Sequence, residues 1–184
     1  MRTVVLLSGG VDSAACAAFY LGLGHDVEAL FVDYGQPARL GERVAASSVA
    51  RCFAIPLVTV VSQGPPVRFS GEIVGRNAFL IFTALLHRPS HDGVIAIGVH
   101  DGSSYYDCQK GFVNEIDRIL SAYTGGKVSL GVPFLSWSKD MVWDFCIERG
   151  LPLELTWSCE AGAEKPCGTC LSCRDVEALH ARTK

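Results

Sequence analysis

Thr3-Val4-Val5-Leu6-Leu7-Ser8-Gly9-Gly10-Val11-Asp12-Ser13 decides how the chain is read. The apolar run predicts a buried strand, Ser8-Gly9-Gly10 a tight turn, and the Ala-rich stretch that follows (Ala14, Ala15, Ala17, Ala18) a helix. Strand, glycine turn and helix start in that order make an anion site. The glycines let a ligand approach the main chain. The helix start offers unpaired N–H groups and a partial positive charge, which suit phosphate. Ser8 and Ser13 add hydroxyls. The Gly-Lys-Ser/Thr ending of the commonest phosphate loop is absent.

Outward from this stretch, strands and helices alternate. Gly22 and Gly24 stop the first helix. A second strand is expected over Asp26–Asp33. A second helix follows over Pro37–Phe53, with Leu40, Val44, Ala45, Val49 and Phe53 near helical spacing, and a third strand over Ile55–Val61. Ser62–Glu72 holds Gly64-Pro65-Pro66 and reads as a loop. Gly75–His87 reads as a helix with an apolar face of Phe79, Leu80, Phe82, Thr83 and Leu86. A strand over Gly93–Val99, a helix over Cys108–Tyr123 with Phe112, Val113, Ile116, Ile119 and Leu120 on one side, a short strand over Lys127–Val132 and a helix over Ser138–Arg149 complete the pattern. The alternation predicts an α/β fold, a doubly wound parallel sheet with right-handed crossovers. Ligands bind beyond the carboxyl ends of such strands. The glycine turn, Asp33-Tyr34-Gly35-Gln36 and Val99–Asp107 should therefore meet at one site.

The chain of 184 residues is long enough for one well-buried domain with a small appendage, divided here as residues 1–150 and 151–184. A net charge of −3 leaves no basic footprint for nucleic acid. No apolar run reaches membrane-spanning length, and the N-terminal one runs straight into the glycine turn, unlike a secretory signal. A cytoplasmic protein with no membrane and no direct nucleic-acid partner is expected. In that compartment eight cysteines read as thiols or metal ligands. Cys159, Cys167, Cys170 and Cys173 follow Cys-x7-Cys-x2-Cys-x2-Cys. Such pairs chelate one ion from a tight turn, and four sulfurs close a tetrahedral structural zinc site. An iron–sulfur cluster competes for the same ligands. Cys16, Cys52 and Cys146 read as small buried hydrophobes, and Cys108 as a thiol at the mouth of the site. His100 reads as an exposed loop histidine and His180 as a surface helix residue, while Trp137, Trp143 and Trp157 read as packing.

Ser8-Gly9-Gly10-Val11-Asp12-Ser13, Asp33-Tyr34-Gly35-Gln36, Gly75-Arg76-Asn77, Gly98-Val99, Tyr105-Tyr106-Asp107-Cys108, Pro133-Phe134-Leu135, Lys139, Thr156-Trp157-Ser158-Cys159 and Cys167-Gly168-Thr169-Cys170-Leu171-Ser172-Cys173 together resemble the 7-cyano-7-deazaguanine synthase (QueC) family of PP-loop ATP pyrophosphatases, from Val4 to about Cys173. The resemblance implies an ATP-dependent carbon–nitrogen ligase. It adenylates the carboxylate of 7-carboxy-7-deazaguanine, admits ammonia to form the amide, and adenylates again to form the nitrile. ATP, Mg2+ and Zn2+ are the implied cofactors, a deazapurine acid and ammonia the partners, and a homodimer the assembly.

Carried onto this sequence, the resemblance assigns ATP to Ser8, Gly9, Gly10, Val11, Asp12, Ser13, Phe31, Tyr34, Gln36 and Gly98. Arg76, Asn77, Tyr105 and Asp107 are assigned to the substrate, and Lys139, Arg76 and Asp12 to catalysis, Asp12 also as a magnesium ligand. The chain departs from the family by a trimmed stretch before Gly75, a short Val99–Tyr105 loop, and Tyr106 where proline is usual. These departures admit an enzyme that stops at the amide or joins the acid to another amine, such as one on a protein, in a defence or conjugation pathway. A PP-loop tRNA thiolation enzyme and a nucleotide-binding subunit without turnover are the remaining alternatives.

Overall fold

A computed structural model describes residues 1–64, 72–87, 92–102 and 104–182. Strands β1 (Arg2–Leu6), β2 (Asp26–Asp33), β3 (Leu57–Val61), β4 (Gly93–Ala96) and β5 (Val128–Gly131) form one parallel sheet in the order β3-β2-β1-β4-β5. Helices α1 (Val11–Gly22), α2 (Arg39–Cys52), α3 (Arg76–His87), α4 (Lys110–Thr124), α5 (Lys139–Glu148) and α6 (Leu171–Arg182) cover its faces. The loop expected over 62–72 falls largely outside the described residues.

Alternation along β1 explains the layers. Val4 and Leu6 face one side and pack with Ile81 of α3 and Phe112, Ile116 and Leu120 of α4. Val5 faces the other and packs with Ala15, Val142 and Trp143 of α1 and α5. Leu7 meets Ala46 and Val49 of α2. Both faces are thus buried, as a parallel sheet requires. Each fully buried side chain of this size contributes roughly 1.5–3 kcal/mol.

Helical phasing differs from expectation at two places. Leu40 and Val44 are exposed, while Ala45, Ala46, Val49 and Ala50 are buried. The small residues win that face because α2 lies hard against the glycine turn. A Cβ on Gly9 would stand 2.6 Å from Glu42 O and 2.7 Å from Ala46 N. Along α3, Ile81 and Ala84 take the core, and Leu86 is 80% exposed. Cys52 is exposed, at the end of α2, whereas Cys16 and Cys146 are buried as expected.

The tail is not a separate layer. Leu179 of α6 is buried in the α1/α5 cluster, with Val176, Leu151 and Leu153 against it. Arg182 Nη2 donates to Asp144 Oδ1 at 2.5 Å, tying α6 to α5. His180 is exposed on α6, and its ring stands 4.8 Å from that of Trp143. Among the described residues no helix is long and apolar enough to cross a membrane.

Candidate active site

From β1 the chain winds outward through β2 to β3, then crosses back to β4 and β5 on the opposite side of β1. The crevice beyond the β1 and β4 ends is therefore the topological switch point, where open α/β sheets bind ligands. Gly9 has φ +84, the left-handed region that favours glycine. Gly10, extended at φ −77 and ψ 166, caps α1 without a side-chain hydrogen bond. The first amides of α1 are left to an incoming anion. Ser13 Oγ donates to Gly10 O at 2.9 Å, and Ser8 Oγ lies 3.2 Å from Ser13 Oγ. Gly98, just past β4, packs on the same helix start. A Cβ there would stand 2.7 Å from the carbonyl carbon of Asp12.

Asp12 gathers the charged groups. Its Oδ2 accepts from Lys139 Nζ, the first residue of α5, at 2.5 Å. His100 Nε2 stands 3.8 Å from the same oxygen. Gly102 N donates to His100 Nδ1 at 2.9 Å, which leaves the proton of a neutral ring on Nε2, toward Asp12. Burial holds the His100 pKa below its ordinary value. Asp12 Oδ1 is buried with no hydrogen-bond partner among the described residues. An orphaned carboxylate oxygen beside a phosphate loop fits Mg2+, which takes one or two carboxylates plus phosphate oxygens.

Two adjoining cavities of about 230 Å³ and about 430 Å³ open from this point. They share Ser8, Gly10, Asp12, Tyr34, Gln36, Glu42, Arg76, Gly98 and Val99. The smaller is floored by apolar strand ends such as Leu6, Leu30 and Phe31. The larger is bounded by Tyr105, Cys108 and Lys139 and, from the tail, Trp157, Glu160 and Asp175. Gln36 is 5% exposed and saturated. Its Nε2 donates to Glu42 Oε2 at 2.8 Å and Val32 O at 3.2 Å, and its Oε1 accepts from Tyr34 N at 2.9 Å. Burial pushes the Glu42 and Tyr34 pKa values up, opposed in both by the Arg76 charge.

The structure brings most of the expected site residues together. Ser8, Gly10, Val11, Asp12, Ser13, Phe31, Tyr34, Gln36, Gly98, Arg76, Asn77, Tyr105 and Lys139 line one or both cavities. Gly9 lies behind the turn, its carbonyl accepting from Trp157 N at 2.8 Å. Asp107 lines neither cavity. Its carboxylate accepts from Asn77 N at 3.3 Å, at the start of α3, and its carbonyl from Asn77 Nδ2 at 3.0 Å. It caps a helix distant in sequence. Cys108 is buried on the wall of the larger cavity, with Asn77 Nδ2 at 3.9 Å from its sulfur. His100, expected to be an exposed loop residue, is instead held over Asp12 with its side chain 16% exposed. Its place directly after a strand that ends at the ligand face was the available signal. Glu42 was missed, because an acidic residue in a first helical turn reads as a partner for the helix dipole.

At the tail, the sulfurs of Cys159, Cys167, Cys170 and Cys173 all lie within 4.8 Å of one another. Thiolates on one tetrahedral zinc stand about 3.8 Å apart, so the set is close to a closed site. Backbone amides of Ala161 and Cys167 point at Cys159 Sγ, at 3.5 and 3.3 Å, and the Cys170 amide at Cys167 Sγ, at 3.3 Å. Such contacts favour thiolates. Hydrogen bonds from Thr169 and Cys170 lower the Cys167 pKa to about 5, while burial and neighbouring thiols push that of Cys173 up to about 12. Four crowded sulfurs ionise together only around a cation.

Comparison with known proteins adds to this geometry. The family model described as "Queuosine biosynthesis protein QueC" matches residues 2–63 and 59–181. A 7-cyano-7-deazaguanine synthase from Methanosphaerula palustris is 31% identical over 94% of this chain and 91% of its own length. One from Prochlorococcus marinus is 33% identical, over 94% and 89% respectively. Among solved structures, the U34-tRNA thiolase NcsA from Methanococcus maripaludis, with its [4Fe-4S] cluster, superposes with a TM-score of 0.57 at 19% identity, over 98% of this chain and 65% of that one. NMN synthetase from Francisella tularensis gives a TM-score of 0.57 at 15% identity, over 98% and 84%. At those identities the two structures speak for the fold alone.

Proposed function

Because the chain belongs to the QueC family, we propose that it is an ATP-dependent carbon–nitrogen ligase that converts 7-carboxy-7-deazaguanine into 7-cyano-7-deazaguanine. The observation that carries the reading is the Lys139–Asp12 pair set against an uncapped glycine turn at the switch point. The turn amides and the Ser8 and Ser13 hydroxyls hold the triphosphate. Lys139 moves from Asp12 Oδ2 onto the pyrophosphate as charge develops there. Asp12 Oδ1 would hold Mg2+, which neutralises phosphate charge. Arg76 clamps the substrate carboxylate in the space between the cavities.

A carboxylate oxygen attacks the α-phosphorus and pyrophosphate leaves. Ammonia then attacks the acyl carbon and AMP leaves, giving the amide. The amide oxygen then attacks the α-phosphorus of a second ATP, pyrophosphate and a proton leave to give an adenylated imidate, and loss of AMP and a proton forms the nitrile. The chain's share in this is orientation and charge stabilisation. The four-thiolate set of residues 151–184 is read as a structural zinc site, because it leaves no open coordination position. A homodimer belongs to the same reading, supported by exposed Leu86 and Tyr123 on α3 and α4.

The test is a mass-spectrometric product assay with ATP, magnesium, ammonia and 7-carboxy-7-deazaguanine. A nitrile is expected. No pyrophosphate or AMP release with the acid would overturn the reading. An amide that accumulates without nitrile would assign the chain to the second reading, coupling of the acid to a different amine, which the trimmed stretch before Gly75 supports.

A further inference from the structure

Arg76 and Glu42 both stand on the walls of the two cavities. The Arg76 charge opposes the upward shift of the Glu42 pKa, yet among the described residues the two form no ion pair. Glu42 is held from behind by Gln36 at Oε2, 2.8 Å, and Gln36 is itself locked by Val32 O and Tyr34 N. The other oxygen, Oε1, accepts no hydrogen bond from the described residues. Glu42 is half-buried and lines both cavities, so Oε1 is open to donors on a ligand that enters them.

The missing donors have a recognisable chemistry. A bare phosphate is disfavoured, since like charge repels it from Glu42. The adenine edge is a poor match: its single amino donor is flanked by a ring acceptor, which would face a carboxylate oxygen. A 2-amino-4-oxo pyrimidine edge presents a ring N–H beside an exocyclic amino group, two parallel donors for two carboxylate oxygens. Oε2 still has a lone pair beyond the one Gln36 uses. Leu80, half-buried on the cavity wall, offers apolar surface to a flat bicycle in the same cavity. Arg76 stands ready for an acid group on the bicycle's other edge.

We propose that Glu42 selects the acceptor: its carboxylate receives the paired ring N–H and amino donors of a 2-amino-4-oxo pyrrolopyrimidine acid whose own carboxylate lies against Arg76. The assignment rests on the ligase reading above and names the residue that gives it specificity.

The test compares 7-carboxy-7-deazaguanine with its 2-des-amino counterpart, in wild type and in Glu42→Gln. Acid-dependent pyrophosphate release gives kcat/KM, and calorimetry gives binding independently of turnover. A site built around a donor pair rejects the analogue lacking one by about 10^4-fold, so wild type should discriminate on that scale and Glu42→Gln by less than about 100-fold. The ATP KM should stay unchanged. An unchanged ratio in Glu42→Gln, or a raised ATP KM with the ratio intact, would overturn the proposal. Should Glu42→Gln not fold, Glu42→Asp, which keeps the charge but withdraws it by one methylene, is put to the same comparison. Failure of both to fold would assign Glu42 to the scaffold and overturn the proposal too. Wild type that binds the amino-bearing acid in a Glu42-dependent way without releasing pyrophosphate would sink the ligase reading and leave this assignment standing. No binding at all would sink both.

Discussion

Gly98→Ala isolates the joint between strand end and helix start. A Cβ at this position would lie 2.7 Å from the carbonyl carbon of Asp12 and 3.1 Å from Ser13 N, both backbone atoms. Backbone cannot rotate aside as a flexible side chain does, so restoring van der Waals contact needs a separation of roughly 1 Å between the β4 end and α1. Overpacking of this kind costs about 1–3 kcal/mol. For a domain of this size that lowers Tm by about 3–10 °C. The functional cost is larger. The displaced atoms belong to the turn proposed to hold phosphate and to Asp12, which pairs with Lys139. A misplacement near 1 Å costs about 100-fold in rate. The assay pairs a thermal melt with acid-dependent pyrophosphate release, using Gly111→Ala on α4 as control, since a Cβ there meets nothing within 4 Å. Wild-type kcat and an unchanged Tm in Gly98→Ala would refute the reasoning, because the close approach would then carry no constraint.

Three further outcomes are expected. Lys139→Met should lower kcat by about 10^2–10^3-fold, the usual scale for removing one stabilising donor, with little change in Tm because the pair is partly exposed; kcat within threefold of wild type would contradict the assigned role. Cys170→Ser should reduce bound metal, measured by elemental analysis, and lower both Tm and activity; a full metal complement with unchanged activity would count against the four-thiolate site. Burial, with the Asp12 charge second, raises the Cys146 pKa from 9.0 to about 12. The unfolded thiol therefore ionises first, and stability contributed by the neutral buried thiol is lost as pH rises from about 9 toward 12. Cys146→Ala should flatten that alkaline decline in denaturant midpoints, and an unchanged slope would show the thiol is not responsible.

The sheet and the glycine turn at the end of β1 were legible because their signals are local. Four apolar residues, two glycines and an Ala-rich helix start leave few backbone solutions, and the cysteine spacing fixes its own turn. The faces of α2 and α3 were less legible. Leu40 and Val44 look like a buried stripe by hydropathy and period, but the face that approaches Gly9 needs small residues, and that demand comes from a turn thirty residues earlier. Asp107 is assigned to the substrate by the resemblance, whereas its carboxylate caps α3. Glu42 went unnoticed, and His100 was taken for an exposed loop residue, for a related reason. Their roles arise from what other segments place opposite them, Gln36 and Arg76 in one case and Asp12 in the other.

The tail belongs to the catalytic half of the molecule by its contacts. Trp157, two residues before the first cysteine of the cluster, donates its backbone N–H to Gly9 O at 2.8 Å and its Nε1–H to Cys159 O at 2.8 Å. Its ring fills the space over Gly41, where a Cβ would stand 2.6 Å from Cδ2. At the other end of the tail, Arg182 grips Asp140 and Asp144 on α5. That helix begins at Lys139, so the two ends of the cysteine segment hold the two halves of the anion site, the glycine turn and the lysine. The sheet depends less on the tail: most of its cover comes from α1 to α5, with Leu179 the one tail residue among the fully buried members of the core clusters. Loss of a metal held by these four sulfurs should therefore loosen the turn and Lys139 before it unfolds the core. The fitting role for four thiolates without an open position is to fix phosphate geometry from outside the reaction.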